Sequence, residues 1–368
     1  MNLTFSYFSM TPGSGIPNVC VGLANAASHF DQVQASLLSL VFDRDDVAPE
    51  VAVRRIKQHP RGAHLLFTSR WLRPVADRLY KRAVGALRPD WIVVNYFPLD
   101  AFALRWREKF GYKVAYYYHN VTDPSLYEGE DRTRREREQA AMLATLAHVD
   151  AVFTNSDFTR RRVFDAVARD ATVACPAADL DTFKPAAGPR APVPTLLHVG
   201  RLVRHKGAHL LLEAFAKVRE RHPEAVLRVV GKADRSDYCA RIEQRAREIG
   251  NVELLGSVPY SQLPTEYRDA WLFTCASLFE GFGMPFLEAH ACGLPCVGLD
   301  VCSVPEIVAH DETGLLVPKD DVDALAGAID ELLSDPARRE RMSAAAIAKS
   351  REFGWEKSAR RIVETLGA

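Results

Sequence analysis

From Pro194 onward the chain alternates short apolar runs with stretches in which apolar residues recur every three or four positions. TLLHVG, GAHLLLEAFAKVRERH, AVLRVVG, YCARIEQRAREIG, NVELLGSV, QLPTEYRDA and WLFTCAS follow one another in that order. Compact apolar runs read as buried strands and the 3.6-residue period reads as helices, so their alternation predicts βαβ units around a parallel sheet. In the first of these helices Leu210, Ala214, Phe215 and Val218 share one stripe, while Lys217, Arg219 and Glu220 lie mostly off it. The pattern continues through CVGLD and TGLLVP to a helix opening at KDDVDALAGAI. The first half is less regular, with strands predicted at LTFSYF, ASLLSLVF, WIVVNYF, KVAYYYH and AVFTNS. Two open α/β domains result. The segment KPAAGPRAPVP supports neither a helix nor a ladder for long and marks a linker near residues 184–194. The predicted domains are therefore 1–184 and 195–350, with a closing helix over 351–368.

Length agrees with this division, because 368 residues exceed the size at which one core keeps growing. Charge narrows the function classes. The 47 basic and 47 acidic residues cancel, leaving no electrostatic footprint for nucleic acid. The start MNLTFSYFSM has no basic region, and no apolar run approaches a membrane span, so a soluble, cytoplasmic protein is expected. The seven cysteines form no CxxC pair; Cys292, Cys296 and Cys302 cluster without a histidine at zinc spacing, so no metal site is expected.

Candidate chemistry gathers where strands run into helices, the edge at which open parallel sheets bind ligands. With two such domains, the cleft between them is the expected site. LFEGFGMPFLEAHACGLP places Glu280 in a loop and Glu288 in a short helix that starts near Pro285 and stops before Gly293. A carboxylate accepts two hydrogen bonds from a cis-diol, so Glu288 suits a ribose and Glu280 a second sugar, with Gly281 and Gly283 presenting backbone N–H groups between them. HVGRLVRHKG sets Arg201 and Lys206 at the end of a strand, where two fixed cations can hold a diphosphate. DVCSVPEIVAHDETG offers Ser303 as an N-cap with Glu306 three residues later, a capping box whose helix start would make an anion site. SMTPGSGIPNV brings Gly13 and Gly15 to the first helix, where backbone can approach a phosphate, without the third glycine of a dinucleotide fingerprint. VAYYYHNVTDPSLY puts His119 and Asn120 at a strand's carboxyl end, open to a structural or a ligand-binding role. Diol, diphosphate and sugar together describe a nucleotide sugar.

The order and spacing of GRLVRHKG, EGFGMPFLE, VPEIV and TGLLV resemble the retaining glycosyltransferases of family 4, whose fold is GT-B, an α/β architecture of two Rossmann-like doubly wound domains facing across a cleft. FTNSDFTRRRVF and DLDTFKP are similar to the family's segments before the linker, and FGWEKSARRIVETL to the helix that crosses back to the N-domain. The resemblance covers essentially the whole chain, and the E-x7-E spacing of Glu280 and Glu288 is its most diagnostic part. It implies that Arg201 and Lys206 bind the donor diphosphate, Glu288 the ribose, Glu280 and His119 the transferred sugar, and Gly15 the phosphates. Gly281, Phe282, Gly283, Ser303 and Val304 complete the expected donor set, with Val258 in LGSVPYSQLPTEY near the base. One departure stands out: where many relatives carry a Gly-Gly pair before the Pro-Glu, this chain has Cys302 and Ser303.

The activity so implied is transfer of a hexose from a GDP- or UDP-linked donor, GDP-mannose for example, to a glycan or lipid-linked acceptor in surface-polysaccharide or lipopolysaccharide synthesis. No cofactor or metal is expected beyond the donor itself. DRDD at Asp43 to Asp46 resembles a metal-binding motif only on paper and reads as solvated loop charge. RWLRPVADRLYKRAVGALRP, with Trp71, Val75, Leu79 and Ala83 on one face and Arg70, Arg73, Arg78, Lys81 and Arg82 around it, reads as an N-domain helix or as a docking element for the cytosolic membrane face. Two other functions use the same residues: a nucleotide-sugar epimerase of the same fold, and a binding subunit without turnover. Paired carboxylates also serve glycoside hydrolases, which do not need the Arg201 and Lys206 pair.

Overall fold

The computed structural model describes residues 1–11, 15–56, 71–95, 99–119, 123–127, 129–186, 188–233 and 236–367. Asn120, Gly13 and Arg70 lie outside these residues. The chain divides into two compact units, Met1–Ala177 with Gly354–Ala368, and Ala178–Phe353.

In the first unit the strands β1 (Asn2–Met10), β2 (Gln34–Phe42), β3 (Ala52–Arg55), β4 (Trp91–Val94), β5 (Lys113–Tyr118), β6 (Ala151–Thr154) and β7 (Thr172–Val173) form one parallel sheet in the order β3-β2-β1-β4-β5-β6-β7. Successive side chains on a strand point to opposite faces, and both faces are covered here. Leu38, Leu40, Ile92, Val94, Val114 and Tyr116 pack to one side against α2 (Arg73–Leu87), α3 (Leu99–Phe110) and α4 (Gly129–Leu146). Leu3, Phe5, Val93, Ala115 and Tyr117 pack to the other, against α1 (Gly15–Ala27) and the closing helix Trp355–Leu366. The helix α5 (Asp157–Val167) joins β6 to β7 and is capped by Ser156, whose hydroxyl accepts from Thr159 N–H.

The closing helix belongs to this unit because its apolar stripe, Ala359, Ile362, Val363 and Leu366, is buried in the same core. Its first residue, Trp355, lies flat against Gly22 of α1; a Cβ there would come within 2.5 Å of the indole. Ser358 Oγ and Arg361 then donate to the Cys175 and Val173 carbonyls, tying the helix to the β7 segment.

In the second unit β8 (Thr195–Val199), β9 (Val226–Val230), β10 (Val252–Gly256), β11 (Leu272–Cys275), β12 (Cys296–Leu299) and β13 (Gly314–Val317) form a parallel sheet in the order β10-β9-β8-β11-β12-β13. Around it lie α6 (Ala208–Arg221), α7 (Asp237–Ile249), α8 (Leu263–Asp269), α9 (Met284–Ala291), α10 (Val304–Ile307), α11 (Val322–Ser334) and α12 (Pro336–Ser350).

The division falls at Ala177/Ala178, ahead of the proline-rich segment expected to carry it. That segment is held to the second unit rather than left free. Phe183 is buried edge-on against Tyr260 and Tyr267, Arg190 donates to the Ala270 and Gly293 carbonyls at 2.7 Å each, and Trp271 Nε1 donates to Ala191 O at 2.8 Å.

One strand carried no signal in the sequence, and one helix splits the stripe read for it. The edge strand β3 is exposed at all four positions, so no in-out alternation announced it. On α2 the buried residues are Ala76, Tyr80, Ala83 and Val84, whereas Trp71 is 85% and Val75 48% exposed. The stripe is therefore split: Trp71 and Val75 face water, while Ala83 is buried with the Tyr80 side that packs the core.

Enlarging Gly22 to valine must displace the Trp355 ring, and overpacking of this kind costs about 1–3 kcal/mol. Gly22→Val is expected to lower the urea midpoint with the slope unchanged; an unaltered midpoint would show that the indole does not bear on this helix.

Candidate functional site

Strand order reverses between β8 and β11 in the second sheet, and a parallel sheet opens a crevice at the carboxyl ends of such neighbours. Three loops leave that edge, after β8, β11 and β12, and each carries residues expected in the site. The loop after β8 ends in a single turn, Arg204–Lys206, closed by Gly207 at φ +70°. A side chain at Gly207 is impossible as the loops stand, since its Cβ would lie 1.7 Å from the Ala276 carbonyl oxygen. This close approach brings Leu278 N–H to the His205 carbonyl at 2.8 Å, and Lys206 Nζ to Glu280 Oε1 at 2.6 Å. The Lys206 and Glu280 side chains are 19% and 8% exposed. Arg201 is exposed on the same loop and meets no carboxylate among the described residues.

The third loop fixes the second. Ser303, fully buried, places its hydroxyl 3.0 Å from the Glu280 carbonyl and 2.9 Å from that of Phe282, one O–H shared between two acceptors. This corrects the expected capping box: Ser303 makes no side-chain cap, and α10 has only four residues. The first three positions of α10 also offer no free N–H. Val304 N–H bonds the Val301 carbonyl, Pro305 has no N–H, and Glu306 N–H bonds the Ser303 carbonyl. Cys302 sits at φ +55°, the left-handed region that glycine enters freely and other residues enter at a cost of about 1 kcal/mol or more.

Glu288 lies in the helix that directly follows the Glu280 loop, α9, which opens with Gly283 at φ +101° and Pro285 in its first turn. The carboxyl is 6% exposed, and Tyr267 OH donates to Oε2 at 2.9 Å. Burial pushes the Glu288 carboxyl up to about 7, against the smaller opposing pull of the phenol. Phe282 is 4% exposed with its ring on Phe353, and Val304 is 1% exposed, so neither side chain offers a ligand surface. Val258 is half-buried in the loop after β10.

Beneath the Lys206 and Glu280 pair lies a buried polar layer that sequence reasoning missed. His198 of β8 is fully buried, with Nδ1 3.1 Å from the Thr274 carbonyl. Burial first, and Lys206 as a further cause, push it down to about 4. Cys275 and Ser277 are buried beside it, Sγ and Oγ 3.1 Å apart. The available signal was one titratable residue directly after the apolar Leu196 and Leu197 in the TLLHV strand. Tyr267 left no signal, because its role depends on a contact with Glu288, 21 positions away.

In the first unit the strand order reverses between β1 and β4. Gly15 opens α1, and a Cβ there would meet nothing within 4 Å, so packing among the described residues does not require the glycine. His119 follows β5, half-buried, stacked on Tyr117 at 4.7 Å and held by Nε2 to Asn95 Oδ1 at 3.1 Å. The Asn95 amide donates to the Val93 carbonyl at 3.2 Å, so Oδ1 is its accepting end and His119 Nε2 carries the proton. Burial pushes His119 well below the ordinary histidine value, which keeps the ring neutral. Asn95, also missed, carried a signal as a polar residue directly after the apolar WIVV strand. The DRDD segment is not simply solvated: the Arg44 side chain is 5% exposed and bonds Asp46 and Asn18.

Comparison with known proteins bears on both units. Residues 14–182 match the family model Glycosyltransferase Family 4, and residues 181–349 match Glycosyl transferases group 1. O-antigen chain mannosyltransferase B of Escherichia coli is 35% identical over 164 residues, covering 44% of this chain and 42% of that protein. The GDP-mannose-dependent alpha-(1-6)-phosphatidylinositol monomannoside mannosyltransferase of Mycolicibacterium smegmatis is 31% identical over 53% of this chain and 56% of its own length. The chain thus spans about half the length of these curated relatives. Sucrose-phosphate synthase from Thermosynechococcus elongatus shares the fold with a TM-score of 0.82 at 24% identity, over 99% of this chain and 98% of that one.

The raised Glu288 carboxyl has a pH consequence. With about 7 in the folded protein against 4.5 as its ordinary value, the folded state keeps a proton that the unfolded chain releases between those values. Its contribution to stability is therefore present at pH 5 and lost as pH rises towards 8. Glu288→Gln removes this loss, so melting curves at pH 5 and 8 are expected to show a smaller decline for the variant than for the wild type; parallel declines would contradict the assignment.

Proposed function

Since the chain belongs to the family 4 glycosyltransferases and has the GT-B fold, we propose that it is a retaining hexosyltransferase that moves a sugar from a GDP- or UDP-linked donor, GDP-mannose foremost, to a glycan or lipid-linked acceptor. The observation that carries this reading is the meeting of Lys206 and Glu280 at 2.6 Å on the switch-point edge, with Arg201 exposed on the same loop. The two cations hold the diphosphate, Glu280 accepts from hydroxyls of the transferred sugar, and Glu288 accepts from the ribose diol. His119, as a neutral ring, contacts the sugar.

In the reaction the acceptor oxygen bonds to the anomeric carbon as the bond from that carbon to the diphosphate oxygen breaks. The acceptor's proton passes to the departing oxygen on the same face, so no protein nucleophile is used. Arg201 and Lys206 stabilise the charge that develops on the diphosphate, an electrostatic contribution that grows towards the transition state. The mannosyltransferase names of the E. coli and M. smegmatis relatives support mannose, and the second supports GDP as the carrier.

Titration of the protein with GDP, UDP, ADP and NAD, read by thermal shift, tests the donor. A nucleotide that binds the native state raises Tm by mass action. GDP or UDP is expected to do so, with Glu288→Ala shifted much less and Glu280→Ala losing at least about tenfold in sugar turnover, the scale of one lost contact near 1.4 kcal/mol. Stabilisation by NAD alone, or by none of the four, would overturn the reading.

A lipid-linked acceptor is supported by the start of α2, where Trp71, Leu72 and Val75 are exposed beside the exposed Arg73, Arg78 and Arg82. Apolar side chains ringed by cations suit the surface of an anionic bilayer. Co-sedimentation with phosphatidylglycerol vesicles is expected for the wild type and much reduced for Trp71→Ser/Val75→Ser; equal sedimentation would count against this docking face.

A further inference from the structure

His198 is a costly choice for its place. It stands on the central strand β8 among Leu196, Leu197 and Val199, is fully buried, and leaves Nε2 without a hydrogen-bond partner among the described residues. An unmet buried acceptor is a cost that an apolar side chain would avoid, so the group requires an explanation. Its chemistry is fixed from the other side of the ring. The Thr274 carbonyl can only accept, so Nδ1 carries the proton and Nε2 presents a lone pair.

That lone pair lies beside the start of the loop after β8. A Cβ built on Gly200 would meet His198 Nε2 at 3.3 Å and Lys206 Cδ at 3.8 Å, so the imidazole nitrogen and the lysine stem flank the same glycine. The lysine itself is held by Glu280 at 2.6 Å. The proposed function asks both members of this pair to let go: Glu280 must accept from sugar hydroxyls, and Lys206 must turn to phosphate oxygens. An ammonium has three N–H donors, and a third acceptor close to its stem would keep it aimed once the carboxylate is released.

We infer that His198 is a positioning residue for donor binding, its Nε2 accepting a hydrogen bond from the Lys206 ammonium when that ammonium leaves Glu280 for the diphosphate. The inference rests on the nucleotide-sugar reading and adds to it a buried switch partner for the lysine. Protonation of Nε2 would remove the lone pair and place a second cation against Lys206, so the role belongs to the neutral ring.

A double-mutant cycle tests it, with the full chain and with GDP and UDP as probes in calorimetric titration. His198→Phe is expected to weaken binding of the stabilising nucleotide about tenfold. His198→Gln, which can carry an amide oxygen near the Nε2 position, is expected to stay within about threefold of wild type. In a Lys206→Met background His198→Phe is expected to change affinity less than twofold, since the donor it served is gone. His198→Leu provides the same comparison should the phenylalanine variant not fold. Equal losses in the two backgrounds, or wild-type affinity for both apolar variants, would overturn the inference while leaving the nucleotide-sugar reading intact. Absence of binding to the wild type would overturn both.

Discussion

A lysine and a carboxylate, paired at 2.6 Å with little access to water, hold the carboxyl edge of the second sheet in its shape. Such a pair returns little net stability, because the charges must first be stripped of water, yet removing one member leaves the other uncompensated at a cost of about 3–5 kcal/mol. The fold therefore commits to both or neither. What makes the pairing geometrically available is backbone contact. Gly207 lets the turn after β8 lie directly on the Ala276 carbonyl, and the Leu278 amide bonds the His205 carbonyl from the opposite side. Ser303 then clamps the Glu280 loop by its own carbonyls, so the carboxylate's position is set from the loop after β12 as well.

The two glutamates, eight positions apart, have been given different electrostatic surroundings. Glu280 faces a cation. Glu288 is buried and accepts from a phenol, and burial favours its protonated form. One carboxyl is thus tied to an ammonium, and the other is buried against a single phenol donor. The histidines on the two sheets are both kept neutral by burial, but their tautomers differ. His119 carries its proton on Nε2, towards Asn95, and His198 on Nδ1, towards Thr274. Each tautomer is decided by which end of the ring meets an obligate acceptor.

Period-two alternation explains why the first unit needs helices on both sides of its sheet. Val93, Ala115 and Tyr117 face one way and Ile92, Val114 and Tyr116 the other, so either face left bare would expose a continuous apolar surface. The closing helix covers part of one face, and its seat on Gly22 shows how far a small residue on one helix governs the approach of another.

The sequence by itself determined the strand and helix alternation, the two parallel sheets and the E-x7-E element, because burial on both faces demands apolar runs and helices demand a stripe, and both are written in neighbouring residues. It placed Arg201, Lys206, Glu280 and Glu288 at one edge, since strand ends follow directly from where the apolar runs stop. Tertiary structure alone decided what those residues touch. The Lys206 and Glu280 contact spans 74 positions, Tyr267 meets Glu288 across 21, and Ser303 reaches Glu280 across 23, none of them periodic in the chain. It also turned an apparent capping serine into a loop clamp, left Trp71 and Val75 of α2 exposed, and set a histidine lone pair beside the lysine stem. A side chain's partners depend on the packing of elements distant in sequence, and no local pattern encodes that distance.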